Sequence, residues 1–233
     1  VAGGGGGVVL PWVGFGTYRL GKGVAEEAVY EAVKAGYRAV DTAFVYGGET
    51  TEGKVGRALE RLEREGVVRS RREVFVTTKQ WRKFHGYDKT LECLGVSLER
   101  LGMEQLDLWL MHWPGPAFGT MAREREVVEA DPWFYATEGQ GAAEMADLRA
   151  ETWRAMEDAW RSGRVRAIGV SNFTVAHLER LKKTATLWPP AVNQVELHPL
   201  RPQHELRAYC VGEGIVVQGY ASLGGQDTGK AVW

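Results

Sequence analysis

The chain has 233 residues, of which 44% are hydrophobic, and its 29 Lys and Arg nearly balance its 30 Asp and Glu. This length can form one substantial core, and the near-zero net charge gives no electrostatic reason to expect binding to nucleic acid or to an anionic membrane. The longest apolar runs fall far short of the roughly 20 residues that a membrane-spanning helix needs. Two cysteines far apart, Cys93 and Cys210, indicate neither a disulfide framework nor a zinc site and favour a reducing, cytoplasmic compartment.

Short apolar runs alternate with helical patterns along the chain. Seven strands are predicted, at Trp12–Gly16, Ala39–Thr42, Val74–Lys79, Leu106–His112, Ala167–Ser171, Val192–Val195 and Ile215–Tyr220. Amphipathic helices are predicted within residues 25–37, 50–66, 90–102 and 151–163. The segment from Gly115 to Ala150 is predicted to be a long irregular loop that overhangs the fourth strand, and its aromatic residues are Phe118, Trp133, Phe134 and Tyr135.

The alternation of strands and helices indicates parallel βαβ units. Seven such strands favour an α/β (β/α)8 TIM barrel, as a single barrel domain over residues 1–233, rather than a doubly wound sheet. The glycine run Gly3–Gly7 is no dinucleotide fingerprint, because that motif needs a strand before it and a helix after it. Most predicted strands end at or beside a polar residue, and active sites of such barrels lie at those strand ends. The strand-end residues are Asp41, Lys79, His112, Ser171, Asn172, Gln194 and Tyr220.

Three of these residues, Asp41, Lys79 and His112, together with Tyr46, suggest a proton donor for a carbonyl oxygen. A lysine ammonium near Tyr46 would favour its phenolate and lower its pKa from about 10, and Asp41 could pair with Lys79. His112 could then orient the substrate oxygen. No Ser-His-Asp or Cys-His arrangement is seen, and GVSNF does not fit a nucleophile elbow. Since nothing in this group attacks the carbonyl carbon, an external hydride donor such as a nicotinamide is expected.

Seven motifs resemble successive strand-end motifs of the aldo-keto reductase family, in the family's order. They are GFGTY, AVDTAFVYGGE, VFVTTKQW, LDLWLMHWP, IGVSNF, AVNQVELHP and VVQGYASLG, and the resemblance extends from about residue 8 to residue 225. It implies a (β/α)8 barrel that binds NADPH (or NADP+) in extended form. It also implies an oxidoreductase of the alcohol dehydrogenase type, whose partner is a small-molecule carbonyl compound that it reduces to an alcohol.

The resemblance also implies a role for each matching residue. Tyr46 would be the general acid, Asp41 and Lys79 would tune it, and His112 would orient the carbonyl group. The implied cofactor contacts are Thr17, Ser171, Asn172, Gln194, Tyr220, Leu223 and Gly225, of which Tyr220 would stack on the nicotinamide ring. The implied substrate wall consists of Tyr18, Val45, Trp81 and Trp113.

The end of the chain departs from the family pattern. The eighth strand, with a Lys-Ser and a later Arg that grip the adenosine 2'-phosphate in the family, and the C-terminal tail are missing from the sequence that ends at Trp233. Ala221 occupies a position where the family often has serine. We expect a chain that continues past Trp233 to bind NADPH well and a chain that ends at Trp233 to bind it weakly. The chain also begins with Val1 rather than Met, which indicates that its true start lies upstream, with or without a targeting segment.

Alternative interpretations remain open from the sequence. Each of the four polar residues has an ordinary structural role when taken alone, and Ser171 and Asn172 also suit the N-cap of the next helix. A catalytically weak or inactive nucleotide-binding barrel, acting as a redox sensor or partner subunit, is the main alternative function, and a cofactor-free isomerase is a further one. His198 and His204, which have Pro199 and Pro202 between them, predict no metal site. A monomer is expected.

Overall fold

Seven parallel strands form one sheet in the computed structural model, which describes residues 7–21, 23–115 and 140–224. The strands are β1 Phe15–Gly16, β2 Ala39–Asp41, β3 Phe75–Gln80, β4 Leu106–Met111, β5 Val165–Ser171, β6 Val192–Glu196 and β7 Val216–Tyr220. Each strand pairs with the next one in the chain, so that the order is β1 to β7 without a crossover. This is the sequential parallel arrangement of a (β/α)8 barrel, and it confirms the predicted fold class.

Helices connect successive strands, as the alternation predicts. They are α1 Ala25–Lys34, α2 Tyr46–Glu49, α3 Thr51–Arg64, α4 Tyr87–Leu101, α5 Gln140–Arg161, α6 Val175–Lys182 and α7 His204–Glu213, with short 3-10 turns at Arg71–Glu73 and Arg82–Phe84. None of the helices in the described ranges is long and apolar enough to cross a lipid bilayer.

The connection between β4 and β5 differs from its prediction. Helix α5 begins at Gln140, so the expectation of irregular structure up to Ala150 is wrong for residues 140–150. The start of α5 is rich in Ala, Glu and Met, which favour helix although they give only a weak apolar periodicity. Residues 116–139, which include Phe118, Trp133, Phe134 and Tyr135, lie outside the described residues.

The two faces of the sheet are both apolar, as expected for a sheet buried on both sides. On β4, Leu108 and Leu110 join a cluster drawn from neighbouring strands, whereas Trp109 and Met111 join the cluster that includes helical residues. Val8, which is 8% exposed and precedes β1, belongs to the same cluster as Leu108 and Leu110. Apolar side chains therefore pack on both faces of the sheet. Because all strands are parallel, their carboxyl ends lie at one rim.

Candidate active site

Lys79 is the centre of a polar cluster at the carboxyl ends of the strands. Its ammonium Nζ donates to Asp41 Oδ1 at 2.6 Å, to the carbonyl oxygen of Thr42 at 2.8 Å and to the Tyr46 hydroxyl at 3.3 Å. The Lys79 side chain is only 1% exposed, whereas the Asp41 side chain is 19% exposed. The expected pairing of Asp41 with Lys79 is therefore present, and three hydrogen bonds compensate for the burial of the charge.

The segment after β2 brings Tyr46 to Lys79. The Thr42 amide donates to Thr77 O at 2.8 Å and the Phe44 amide donates to Lys79 O at 3.2 Å, so this segment continues along β3. Gly47 and Gly48 follow Tyr46 with φ of 60° and 66°, which is the left-handed region that favours glycine. A Cβ atom at Gly47 would lie 2.5 Å from Thr51 Oγ1. The Gly-Gly pair thus permits the tight turn from Tyr46 into α3.

His112 follows β4 and lies against the same cluster. Its ring centroid is 5.9 Å from that of Tyr46 and 5.7 Å from that of Trp81. Burial, together with the charges of Lys79 and Arg82, holds the pKa of His112 well below its ordinary value. The ring is therefore neutral near pH 7 and carries one N–H that can donate to an oxygen. Its Nδ1 has no hydrogen-bond partner in the part of the chain that the structure describes.

The electrostatics of Tyr46 differ from the expectation. Burial raises the pKa of the Tyr46 hydroxyl, and although the nearby Lys79 ammonium opposes this effect, the net pKa lies above the ordinary value. Burial lowers the pKa of Lys79, but the charges of Asp41 and Tyr46 and the hydrogen bonds to both residues together outweigh this effect, and the net pKa is raised. At neutral pH the site thus contains a protonated phenol next to a charged ammonium.

A second group of side chains adjoins the cluster from β5, β6 and β7. Gln194 Nε2 donates to Asp41 Oδ2 at 2.8 Å and to Gln218 Oε1 at 2.9 Å. Ser171 Oγ donates to the Gln194 carbonyl oxygen at 2.8 Å. The structure therefore brings two of the predicted cofactor residues into contact with each other and one of them into contact with the polar cluster around Lys79.

Asn172 connects this second group to His112. Its Nδ2 donates to the His112 carbonyl oxygen at 2.9 Å, and its Oδ1 accepts from the Tyr220 hydroxyl at 2.7 Å. Asn172 has φ of 62°, a left-handed conformation that asparagine tolerates better than most residues. The alternative role of Ser171 and Asn172 as a helix cap is not observed, because Thr174 is the N-cap of α6.

The remaining predicted site residues differ in their burial and in whether they contact the polar cluster. Thr17 is buried and its hydroxyl donates to Asp41 O at 2.9 Å. The Tyr18 ring is half exposed and its centroid is 5.0 Å from that of Tyr46. Leu223 is 80% exposed and does not pack into the site, and Gly225 lies outside the described residues. The other wall residues, Val45, Trp81 and Trp113, share one apolar cluster with Phe44, Phe84, Cys93 and Val96.

Two further residues contact the site although the sequence did not single them out. Gln218 accepts from Gln194, and its place two residues before Tyr220 on β7 is a signal that could have identified it, because alternate strand residues share a face. His85 contacts the backbone of Trp113: its Nε2 lies 3.2 Å from the Trp113 carbonyl oxygen, and its Nδ1 lies 3.0 Å from Thr152 Oγ1. Since no periodicity marks His85, only the structure reveals it.

His85 leads to a prediction about acid stability. Burial lowers its pKa from 6.5 to about 4, so the unfolded state binds a proton before the folded state does. The free energy of unfolding should therefore fall as the pH falls from 6.5 to 4, by about 3 kcal/mol in total from this residue. Urea unfolding of the wild type and of His85→Gln across this range measures the difference.

The comparison isolates His85, because His112 acts in the same direction in both proteins. His204→Gln, at the exposed start of α7, is the matched control and should retain the wild-type pH dependence. Identical pH dependence of the wild type and His85→Gln would show that His85 is not buried in its neutral form.

The fold and the strand-end cluster define the class as a (β/α) barrel protein with a polar site at the carboxyl rim of its sheet. A family model described as "Aldo/keto reductase family" matches residues 13–230. The chain belongs to the aldo/keto reductase family.

Related proteins and similar solved structures agree with this family assignment. The chain is 40% identical over 218 residues to glyoxal reductase of Bacillus subtilis, covering 93% of this chain and 65% of that protein. An aldo/keto reductase structure from Brucella melitensis has a TM-score of 0.72 at 37% identity, with 92% of this chain and 70% of that chain covered. A Bombyx mori aldo-keto reductase structure in complex with NADP has a TM-score of 0.72 at 33% identity, with coverages of 91% and 62%. The chain thus spans about two thirds of the length of these relatives.

Proposed function

We propose that this protein reduces small aldehydes or ketones to alcohols by hydride transfer from NADPH, with Tyr46 as the general acid. The observation that carries the proposal is the contact of one buried ammonium, Lys79 Nζ, with both the Asp41 carboxylate and the Tyr46 hydroxyl. Burial alone would make the Tyr46 hydroxyl a weaker acid than a free tyrosine, and the Lys79 ammonium opposes this rise in pKa. The ammonium at 3.3 Å stabilises the phenolate that forms when the proton leaves.

Each residue of the cluster has a separate role in the protonation of the substrate oxygen. Tyr46 is protonated at neutral pH, because the ordinary tyrosine pKa of about 10 lies well above 7 and burial raises the pKa of Tyr46 further, so its proton is available for the carbonyl oxygen of a substrate. Asp41 keeps Lys79 charged, and Lys79 stabilises the resulting phenolate. Neutral His112 can donate its N–H to the same oxygen and orient the carbonyl group. The bound nicotinamide would supply the hydride to the carbonyl carbon, which completes the two-electron reduction.

The side chains on β5, β6 and β7 fit a nicotinamide. A carboxamide needs both donors and acceptors. Ser171, Asn172 and Gln194 place a hydroxyl and two amides at adjoining strand ends, and their donors are engaged with protein oxygens, so they would offer acceptors to the nicotinamide in this arrangement. Asn172 Oδ1 and Gln194 Oε1 keep lone pairs that can accept from its NH2 group. The partly exposed Tyr220 ring can stack on the nicotinamide, and Thr17 would lie along the cofactor. The wall of Tyr18, Val45, Trp81 and Trp113 would favour compact, partly apolar substrates.

Further aspects of the proposal rest on less direct support. The preference for NADPH comes from the family resemblance and from the NADP bound to the Bombyx mori protein. Free, buried Cys93 and Cys210 suit a reducing, cytoplasmic environment. A single barrel domain acting as a monomer completes the proposal.

The first test is a titration of the protein with NADPH that follows quenching of tryptophan fluorescence. We expect NADPH binding to quench the fluorescence, because Trp81 and Trp113 belong to the wall next to the proposed nicotinamide site. Consumption of NADPH with glyoxal as substrate then measures turnover, and NADH serves as the matched control for cofactor choice. Binding without turnover for a panel of small aldehydes would favour the non-catalytic alternative, and no quenching at millimolar NADPH would contradict the proposal.

A further inference from the structure

A buried carboxylate lies on the outer side of β3, directly behind Lys79. Glu52, in the first turn of α3, is 0% exposed, and its Oε1 accepts from the Thr78 hydroxyl at 2.6 Å. Thr78 immediately precedes Lys79, and successive strand residues point to opposite faces. Glu52 therefore holds the helix-facing side of the strand whose inner face presents the Lys79 ammonium.

The second partner of Glu52 is Arg100 on α4. Arg100 Nη1 is 3.4 Å from Glu52 Oε2 and 3.5 Å from the carbonyl oxygen of Phe44, to which it donates. The guanidinium carbon also lies 4.3 Å from the centroid of the Phe44 ring, within the range of a cation–π contact. Arg100 thus holds the Phe44 backbone and ring at the same time.

Phe44 connects this pair to the active site. It lies between Asp41 and Tyr46 in the chain, is 2% exposed, and its amide donates to the Lys79 carbonyl oxygen at 3.2 Å. Neither Glu52 nor Arg100 has a hydrogen bond to Asp41, Tyr46, Lys79 or His112 among the described contacts. Their effect on the reacting groups must therefore pass through the backbone of Phe44 and β3.

We propose that Glu52 and Arg100 are positioning residues that hold the Phe44–Tyr46 segment against β3 and so keep the Tyr46 hydroxyl within reach of Lys79. The inference rests on the proposed function for its catalytic consequence. A buried ion pair is weak evidence for stability, because its desolvation cost can cancel its Coulombic attraction. A role in geometry accounts better for a carboxylate in this apolar layer. Burial also raises the pKa of Glu52, because the charged carboxylate is less favourable than the neutral acid in this buried position.

The test compares Arg100→Met and Glu52→Gln with the wild type. A small displacement of a catalytic group is costly, so we expect kcat to fall by about ten- to hundredfold. KM should change less than kcat, because of the proposed wall residues only Val45 lies in the displaced segment. Arg100→Lys keeps the charge but loses the planar group over the Phe44 ring, and its kcat should lie between those of the wild type and Arg100→Met. Arg61→Met is the matched control, since Arg61 pairs with Glu27 and Glu65 and lies over the Tyr30 ring on the outer side of α3.

A second measurement does not depend on turnover. The ionisation of Tyr46 can be followed by ultraviolet difference absorbance, as the titration present in each protein and absent when Tyr46→Phe is added. Lys79, Tyr18 and His112 lie next to Tyr46, and Asp41 carries the charge that pairs with Lys79. If the segment moves away from Lys79, the stabilisation of the phenolate weakens and the titration midpoint of Tyr46 rises further in Arg100→Met and Glu52→Gln.

The two readouts separate the possible failures. A wild-type chain that reduces no carbonyl compound would contradict the proposed function, and the phenol titration would still report on positioning. An unchanged kcat and an unchanged Tyr46 midpoint in both variants would overturn the positioning role. An equal loss of kcat in Arg61→Met would overturn it too, because the loss would then reflect any broken ion pair. If Arg100→Met does not fold, Glu52→Gln decides, because it preserves the size of the side chain.

Discussion

Replacement of Tyr46 by Phe should lower kcat by about 10²–10⁴-fold, because it removes the proton that the carbonyl oxygen receives. The affinity for NADPH should change little, since the proposed nicotinamide contacts are on β5, β6 and β7. The fold should survive, because the tyrosine hydroxyl accepts only the 3.3 Å contact from Lys79 among the hydrogen bonds described. Steady-state kinetics and a fluorescence titration with NADPH on the same preparation measure both quantities.

The matched control for this variant is Tyr87→Phe. Tyr87 donates its hydroxyl to Asp158 at 2.8 Å between α4 and α5, and no described contact joins it to Asp41, Tyr46, Lys79 or His112, so its loss should not alter kcat. Retained turnover in Tyr46→Phe would remove Tyr46 from the role of general acid. Loss of NADPH binding together with turnover would instead indicate that the substitution damages the cofactor site.

Replacement of Asp41 by Asn should be the most damaging single change to the site. The Lys79 ammonium, which is 1% exposed, would lose its counter-charge, and an uncompensated buried charge of this kind costs about 3–5 kcal/mol. Activity should fall as well, because a lysine that loses its proton cannot stabilise the phenolate of Tyr46. Glu26→Gln is the control, since the Arg57–Glu26 ion pair is exposed and its loss should cost less than about 1 kcal/mol.

The pH dependence of stability gives this variant a distinct signature. In the wild type the pKa of Lys79 is raised above 10.5, so the contribution of the pair is complete below that pH and is lost only as the pH rises through the folded-state pKa. Without Asp41, burial alone would lower the pKa of Lys79, and the unfolded state would then bind the proton more readily. Relative to the wild type, the stability of Asp41→Asn should therefore rise with pH between 7 and 10. A constant difference over this range would show that Lys79 keeps its charge without Asp41.

Local patterns were sufficient to predict the order of the seven strands and the helices α1, α3 and α4 with the later part of α5, but not α6 or α7. The apolar runs of β3 and β4 and the amphipathic repeat of α3 follow from periodicity, which depends only on residues that are near in sequence. The meeting of Asp41, Lys79 and His112 follows from topology, because the carboxyl ends of consecutive parallel strands share one rim. The assignment of roles to these residues stays a proposal that the variants above test.

Quantities that depend on distant parts of the chain required the tertiary structure. The direction of the Tyr46 pKa is one, because it is set by the competition between burial and the Lys79 ammonium, and the sequence contains no measure of burial. The start of α5 at Gln140 is another, since its weak periodicity left only helix propensity as a local signal.

The contacts of Glu52 show the same distinction most clearly. Glu52 appears in the sequence as one acidic residue among many on an amphipathic helix, and it would be placed on a solvated face. Its burial against Thr78 and Arg100 arises because α3, α4 and β3 pack together across 26 and 48 positions of the chain. Periodicity therefore predicted the strands, their order and most of the helices, whereas packing between distant elements decided which charges are buried, how they are paired and how strongly the Tyr46 proton is held.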